Sequence, residues 1–212
     1  MTVTRRGILG AGAGLGLAGL AGGATLLLRV AGTPDPAFEQ IRHDPDNPVQ
    51  GNPDGTLTIV EFFDYQCPYC KRDHAALIDR VRRDGDIRLV MKDWPIFGGA
   101  SVLASQLVLG AAELGAYDPA HAALMATPAR LSEAEIGQTL RLAGIDTDAA
   151  MAGWRAGRDR WEGWLARNAA QAAALALRGT PAFLIGDTLY PGALGEAGLD
   201  TAINRARAAV RA

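Results

Sequence analysis

Cysteine is nearly absent from this chain. Only two occur in 212 residues, Cys67 and Cys70, and they stand three positions apart. With no second pair of cysteines, a zinc site built from two CxxC halves has nothing to close it. A basic surplus is also lacking. Lys and Arg number 21 against 23 Asp and Glu, for a net charge of −2, and no basic stretch is interleaved with aromatics. Nucleic acid is therefore not expected as a partner. No segment repeats with a period of 20 to 50 residues, which sets aside solenoids and propellers. Histidine is scarce, and neither His43 nor His121 has a spacing that suggests a role. What the chain does have is 49% hydrophobic residues over a length suited to one domain with a sizeable core.

The organising stretch is Glu61 to Cys70, EFFDYQCPYC. Leu57 to Phe63 (LTIVEFF) is rich in β-branched and aromatic residues and reads as a strand. After Cys67 the apolar positions Ala75, Leu77, Ile78 and Val81 recur at helical spacing, and Asp84-Gly85 supplies a stop. Pro68 suits a first helical turn, where its missing N–H removes no bond. Cys67 is thus expected at a helix N-terminus with Cys70 one turn on. Residues three apart on a helix are close enough for a disulfide. Cys67 would face unpaired N–H groups and the positive end of the helix dipole, which favour the reactive thiolate. That makes Cys67 the expected nucleophile and Cys70 the sheltered partner. Other readings of these residues are a structural disulfide, two ordinary buried cysteines, and a metal set of Cys67, Cys70 and His74 spaced C-x2-C-x3-H. A lone CxxC at a strand-to-helix junction fits redox chemistry best.

Residues 1–30 read as an export signal. Arg5-Arg6 precede an uncharged stretch, Gly7 to Leu28, in which eight of 22 residues are glycine, and TRRGIL resembles a twin-arginine signal. No clean A-x-A cleavage site follows. Ile8 to Leu28, 21 residues, would span a bilayer as a helix, so a membrane anchor is the alternative. Both place the domain outside the cytoplasm, in the periplasm, where disulfides persist. Residues 31–56 read as a leader of turns, with at most a short edge strand near Ile41.

Within LTIVEFF, Glu61 has apolar neighbours on both sides. A half-buried acid six residues before the nucleophile is placed to exchange a proton with Cys70, and burial would raise its pKa. The next strand, Ile87 to Lys92, closes a strand–helix–strand unit, with Lys92 expected to neighbour Glu61 across the sheet. From about residue 99 to 177 the chain is alanine-rich and helical, with a capping-box pattern at Ser132–Glu135 and Trp154, Trp161 and Trp164 as core candidates. In RGTPAFLIGDTLYPG, Thr180-Pro181 ends the helical region before a strand from Ala182 to Ile185 and a second from Thr188 to Tyr190. A cis bond at Pro181 would set Thr180 against the CxxC and leave neighbouring backbone to pair with a substrate chain. Leu199 to Val210 reads as an amphipathic helix.

EFFDYQCPYCKR, then KDWP, then RGTPAFLIG…PGAL resembles the DsbA-like branch of the thioredoxin superfamily, over roughly residues 41 to 211. The resemblance implies an α/β thioredoxin-like fold spanning 57–212, with a helical domain inserted between its two halves. It implies an exported thiol–disulfide oxidoreductase, foremost an oxidase that donates the Cys67–Cys70 disulfide to exported proteins. A reductase or isomerase is the alternative, and a metal-binding or substrate-binding module a remote one. Cys67 would be the exposed nucleophile, Cys70 its partner, Glu61 the buried acid and Thr180-Pro181 the cis-proline loop. No cofactor beyond the redox disulfide is implied. The partners are exported thiol proteins and a membrane or periplasmic protein that resets the disulfide. The Pro-Tyr dipeptide departs from the Pro-His of the best-known periplasmic oxidase and is shared with glutaredoxins; this dipeptide tunes the redox potential.

Overall fold

A computed structural model describes residues 35–127 and 130–210. The export signal or anchor read in residues 1–30 lies outside them. Five strands form one mixed sheet: β1 (Val49–Gly51), β2 (Leu57–Phe63), β3 (Ile87–Asp93), β4 (Ala182–Ile185) and β5 (Thr188–Tyr190). Their order is β1-β3-β2-β4-β5. Only β2 and β3 run parallel, joined through α2 (Pro68–Asp84); the other pairs are antiparallel. The insertion between β3 and β4 consists of α3 (Gly99–Ala112), α4 (Tyr117–Met125), α5 (Glu133–Leu142), α6 (Thr147–Ala156) and α7 (Arg158–Ala174), and α8 (Gly195–Val210) follows β5. This is a thioredoxin-like α/β fold with a helical insertion.

The central strand β2 is covered on both faces, which is why LTIVEFF reads as a nearly continuous apolar run. Ile59 and Phe63 join Leu89, Met91, Phe183 and Ile185 beneath Leu77 and Val81 of α2 and Ile203 of α8. Val60 and Phe62 join Val90, Ala182 and Leu184 on the other face, against Ala172 of α7. Trp154, Trp161 and Trp164 make a separate cluster inside the insertion. There α3 and α6 cross closely at Gly110, where an added Cβ would lie 1.8 Å from the Ala150 carbonyl oxygen. The Ser132–Glu135 capping box forms as the sequence indicates.

The leader is corrected by the structure. Its chain is not only turns: Pro36–Arg42 is a helix, α1, and the edge strand is β1, eight residues beyond Ile41. The Asp35 carboxylate caps α1 by accepting from Ala37 N at 2.9 Å, with Pro36 in the first turn. Ile41 is buried against the sheet. With seven residues, α1 carries too few turns to show a hydrophobic period. It is held by tertiary packing rather than by propensity.

Candidate active site

Cys67 is the N-cap of α2, in extended conformation, and its sulfur accepts from the Cys70 backbone N–H at 3.4 Å. Its own N–H donates to the Asp64 carbonyl at 3.0 Å, and its Sγ–H to the Thr180 carbonyl at 3.2 Å. The Thr180–Pro181 bond is cis. Both cysteines are free thiols, so the structure is that of the dithiol form. Beside the pair lies a cleft of about 520 Å³ lined by Tyr69, Arg178, Thr180, Pro181, Pro191 and Gly192.

One expectation is corrected here. Cys67 does not face solvent openly; it is 1% exposed, while Pro68 and Tyr69, the latter at 55%, project beside it. The Thr180–Pro181 turn lies against the CxxC, as expected of a cis bond there, and it also covers the sulfur. Even so, the two thiols are set far apart chemically. The Cys67 pKa is lowered to about 6, first by its hydrogen bond with Cys70, then by Thr180 and by the Cys70 and Tyr69 N–H groups, against a burial cost. Cys70 is pushed far up, first by burial, then by its hydrogen bond with Cys67 and the charges of Glu61 and Cys67.

Glu61 is fully inside the sheet, and burial raises its carboxyl to about 8, with the charges of Cys67 and Asp73 adding to the effect. Among the described residues its Oε2 has no hydrogen-bond partner. The expected pairing with Lys92 is corrected. Glu61 stands opposite Met91, and Lys92 opposite Phe62. Because side chains alternate along a strand, Lys92 emerges on the other face of the sheet. There its ammonium meets Asp44 at 3.5 Å. Burial lowers the Lys92 pKa to about 8, with Asp44 opposing the shift.

Asp64, which anchors the loop before Cys67, was not singled out by sequence reasoning. The buried Asp64 carboxylate accepts from Gln66 N (2.6 Å), Ser101 Oγ (2.7 Å), Ile96 N (2.6 Å) and Phe97 N (3.2 Å). It ties the loop before Cys67 to the loop after β3. The signal was present as a second acid inside the apolar string EFFDYQ. His121, given no role above, is buried, and its Nδ1 is hydrogen-bonded to Tyr65 Oη at 2.9 Å. His74 packs edge-on against it at 4.9 Å between centroids. Among the described residues no group of three or more His, Cys, Asp or Glu is arranged to hold a metal ion, so Cys67, Cys70 and His74 do not form a ligand set.

Comparison with known proteins places this arrangement. Residues 58–204 match the family model described as a DSBA-like thioredoxin domain. A thioredoxin-like oxidoreductase from Silicibacter pomeroyi is 37% identical and superposes with a TM-score of 0.75, over 80% of this chain and 97% of that one. The thiol-disulfide exchange protein alpha-DsbA2 from Wolbachia pipientis is 26% identical, TM-score 0.72, over 79% and 91%. A periplasmic thioredoxin-like protein from Salmonella enterica serovar Typhimurium is 27% identical, TM-score 0.69, over 81% and 96%. Among curated proteins, 171 residues match Na(+)/H(+) antiporter NhaA 3 of Salinispora tropica at 27% identity, covering 79% of this chain. A stretch of 76 residues, 34% of this chain, also matches disulfide bond formation protein D of Bacillus subtilis at 33% identity. The chain spans 26% and 33% of the length of these two relatives.

Proposed function

The chain belongs to the family of DSBA-like thioredoxin domains, and on that premise we propose that it is a periplasmic thiol–disulfide oxidoreductase acting as an oxidase. In the reading proposed, a substrate thiolate attacks Sγ of Cys67 in the Cys67–Cys70 disulfide. The S–S bond breaks, a substrate–Cys67 bond forms, and Cys70 leaves with the electron pair. A second substrate thiolate then attacks the substrate sulfur and expels Cys67 as a thiolate. The substrate gains a disulfide and loses two electrons, which the dithiol holds until a redox partner removes them.

The placement of Cys67 carries this reading. A sulfur that caps α2 and accepts from the Cys70 N–H leaves readily as a thiolate. Cys70, pushed far up, needs a proton as it departs. Glu61, raised to about 8, is protonated at neutral pH and supplies it. The extended substrate lies in the cleft at Thr180–Pro181, which is lined by mixed backbone and apolar surface. The dithiol–disulfide pair is then the whole of the redox equipment, with no added cofactor.

The periplasmic placement follows from Arg5-Arg6 and the apolar stretch behind them, and the Salmonella relative is described as periplasmic. Exported proteins with free thiols are the substrates, and a membrane or periplasmic protein resets the disulfide. Equilibrating the protein with glutathione of set redox ratio tests the direction. A reduction potential above about −180 mV supports the oxidase, and one near about −270 mV would reassign it as a reductase.

A further inference from the structure

A second cleft, of about 670 Å³, opens between α2 and α4 and begins at Pro68, on the side of the CxxC helix that carries Lys71 and His74. A smaller one of about 300 Å³ continues it past Val81 toward Gln50 and Gly51; His74, Ile78, Arg82 and Ala122 line both. From Pro68 to Arg82 the α2 wall rises about 20 Å, the length of about six extended residues.

Three cations, Lys71, Arg72 and Arg82, and one carboxylate, Asp79, line the larger cleft. Asp79 is held by Arg83 at 2.8 Å, and Arg72 by Asp73 at 2.6 Å. In the continuation, Asp118 accepts from Gln50 Nε2 at 2.9 Å. Lys71 Nζ reaches Thr127 Oγ1 at 2.6 Å. Arg82 is exposed and lines both clefts, with no ion pair among the described residues. Between the cations the floor is apolar, made by Ala75, Ile78, Ala122 and Met125. His74 breaks that floor. It is more than nine-tenths buried, and its Nδ1 has no partner.

We propose that this α2–α4 groove is a second docking site for the substrate chain, selecting a segment with acidic and aliphatic side chains on one side of the reacting cysteine. The inference rests on the oxidase reading. The cleft at Thr180–Pro181 lies on one flank of the CxxC turn and this groove on the other, so a bound chain crosses Pro68–Tyr69 and is gripped on both sides. Its aliphatic residues fill the floor near Ile78 and Met125. Its acid reaches Arg82.

The test uses the oxidised full chain and peptides carrying two cysteines and a six-residue arm, either Glu/Leu-rich or Lys/Ser-rich. The Glu/Leu arm lowers KM for peptide oxidation about tenfold relative to the Lys/Ser arm, with kcat little changed. Arg82→Glu removes or inverts that preference, by about tenfold for exchanging one exposed attraction for a repulsion. Ala122→Trp, at an exposed position, fills the groove and abolishes the preference while leaving oxidation of dithiothreitol unchanged. Equal KM values for both arms, or a preference that survives both substitutions, would overturn the docking site. Failure to oxidise dithiothreitol would strike the oxidase reading instead. Fluorescence anisotropy with a labelled, cysteine-free Glu/Leu peptide then reads the groove without redox chemistry: binding weakened by Arg82→Glu upholds the site, and unchanged or undetectable binding removes it.

Discussion

Glu61→Leu tests the buried acid most directly. In the folded dithiol protein burial raises the Glu61 carboxyl to about 8, from an ordinary value of 4.5, with smaller additions from Cys67 and Asp73. Between those values the unfolded chain is ionised at this position and the folded chain is not. The native state therefore binds more protons, and stability falls as pH rises. The contribution is complete below 4.5 and lost on passing about 8. At pH 7 the cost of keeping the acid neutral is roughly 3 kcal/mol, at about 1.4 kcal/mol per pH unit. Groups with lowered values slope the opposite way, among them Lys92 and His121, whose effects are common to parent and variant. Burial lowers His74 to about 4, so its effect ends near its ordinary 6.5. Cys67, lowered to about 6, also makes stability rise with pH, but it does not titrate once in a disulfide. The informative comparison is therefore urea unfolding of the oxidised parent and variant at pH 6.5 and pH 8. Leucine is preferred to glutamine because Glu61 Oε2 has no partner, and an amide would bury unpaired N–H groups. The variant gains on the parent by about 1.5 kcal/mol across that interval. A gap that stays constant from pH 6.5 to 8 would refute a neutral buried acid and, with it, the proton donor for Cys70.

Other outcomes follow from the same geometry. Alkylation of the reduced protein labels Cys67 with a pH midpoint near 6, while Cys70 stays unlabelled until the chain is denatured; early labelling of Cys70 would reverse the assignment. Cys70→Ser accumulates mixed disulfides through Cys67, and Cys67→Ser abolishes exchange, both read on non-reducing gels with a thiol peptide. Reduced and oxidised forms are close in stability at pH 7, because a thiolate contribution of about 1 kcal/mol opposes a four-residue ring contributing on the order of 2 kcal/mol. Since the depressed Cys67 pKa stabilises the dithiol fold above about 6 and loses its effect below it, the reduced form pulls ahead toward pH 8.5 and falls behind at pH 5; denaturant midpoints that do not cross would contradict this. Asp64→Ala leaves four donors without their acceptor, costing roughly 3 kcal/mol or more and raising the alkylation midpoint of Cys67. An unchanged midpoint would show that Asp64 does not position the loop.

What could be read from the sequence was what depends on local order. The strand LTIVEFF, the N-terminal position of Cys67, the capping box at Ser132 and the strand after Pro181 all rest on neighbours a few residues away, and each forms as its residues indicate. What could not be read depends on partners distant in the chain. The donors around Asp64 come from residues as far off as Ser101, and Lys92 turns from Glu61 because of sheet register. The misplacement of Lys92 is instructive. Parallel pairing sets Lys92 beside Phe62, and a single step of alternation carries its side chain through the sheet to Asp44.

The string EFFD holds two buried carboxylates three residues apart, and their surroundings divide the work between them. Glu61 lies within the strand, where backbone groups are committed to β3 and β4, so Oε2 finds no donor. Burial then dominates, and the group is left able to take or give a proton near neutrality. Asp64 lies just past the strand end, where β3 also stops and the free N–H groups of Ile96 and Phe97 converge with Ser101 Oγ. Four donors hold it as an acceptor and make it a fixed post for the turn that presents Cys67. The same contrast separates the two thiols: Cys67 sits where helix N–H groups are free, and Cys70 one turn inward, where they are not. In the function proposed, the helix end would supply a leaving thiolate and the strand interior a proton for its partner. Exchanging either acid for the other would disable both, since a glutamate at 64 overshoots its donors and an aspartate at 61 retreats from Cys70.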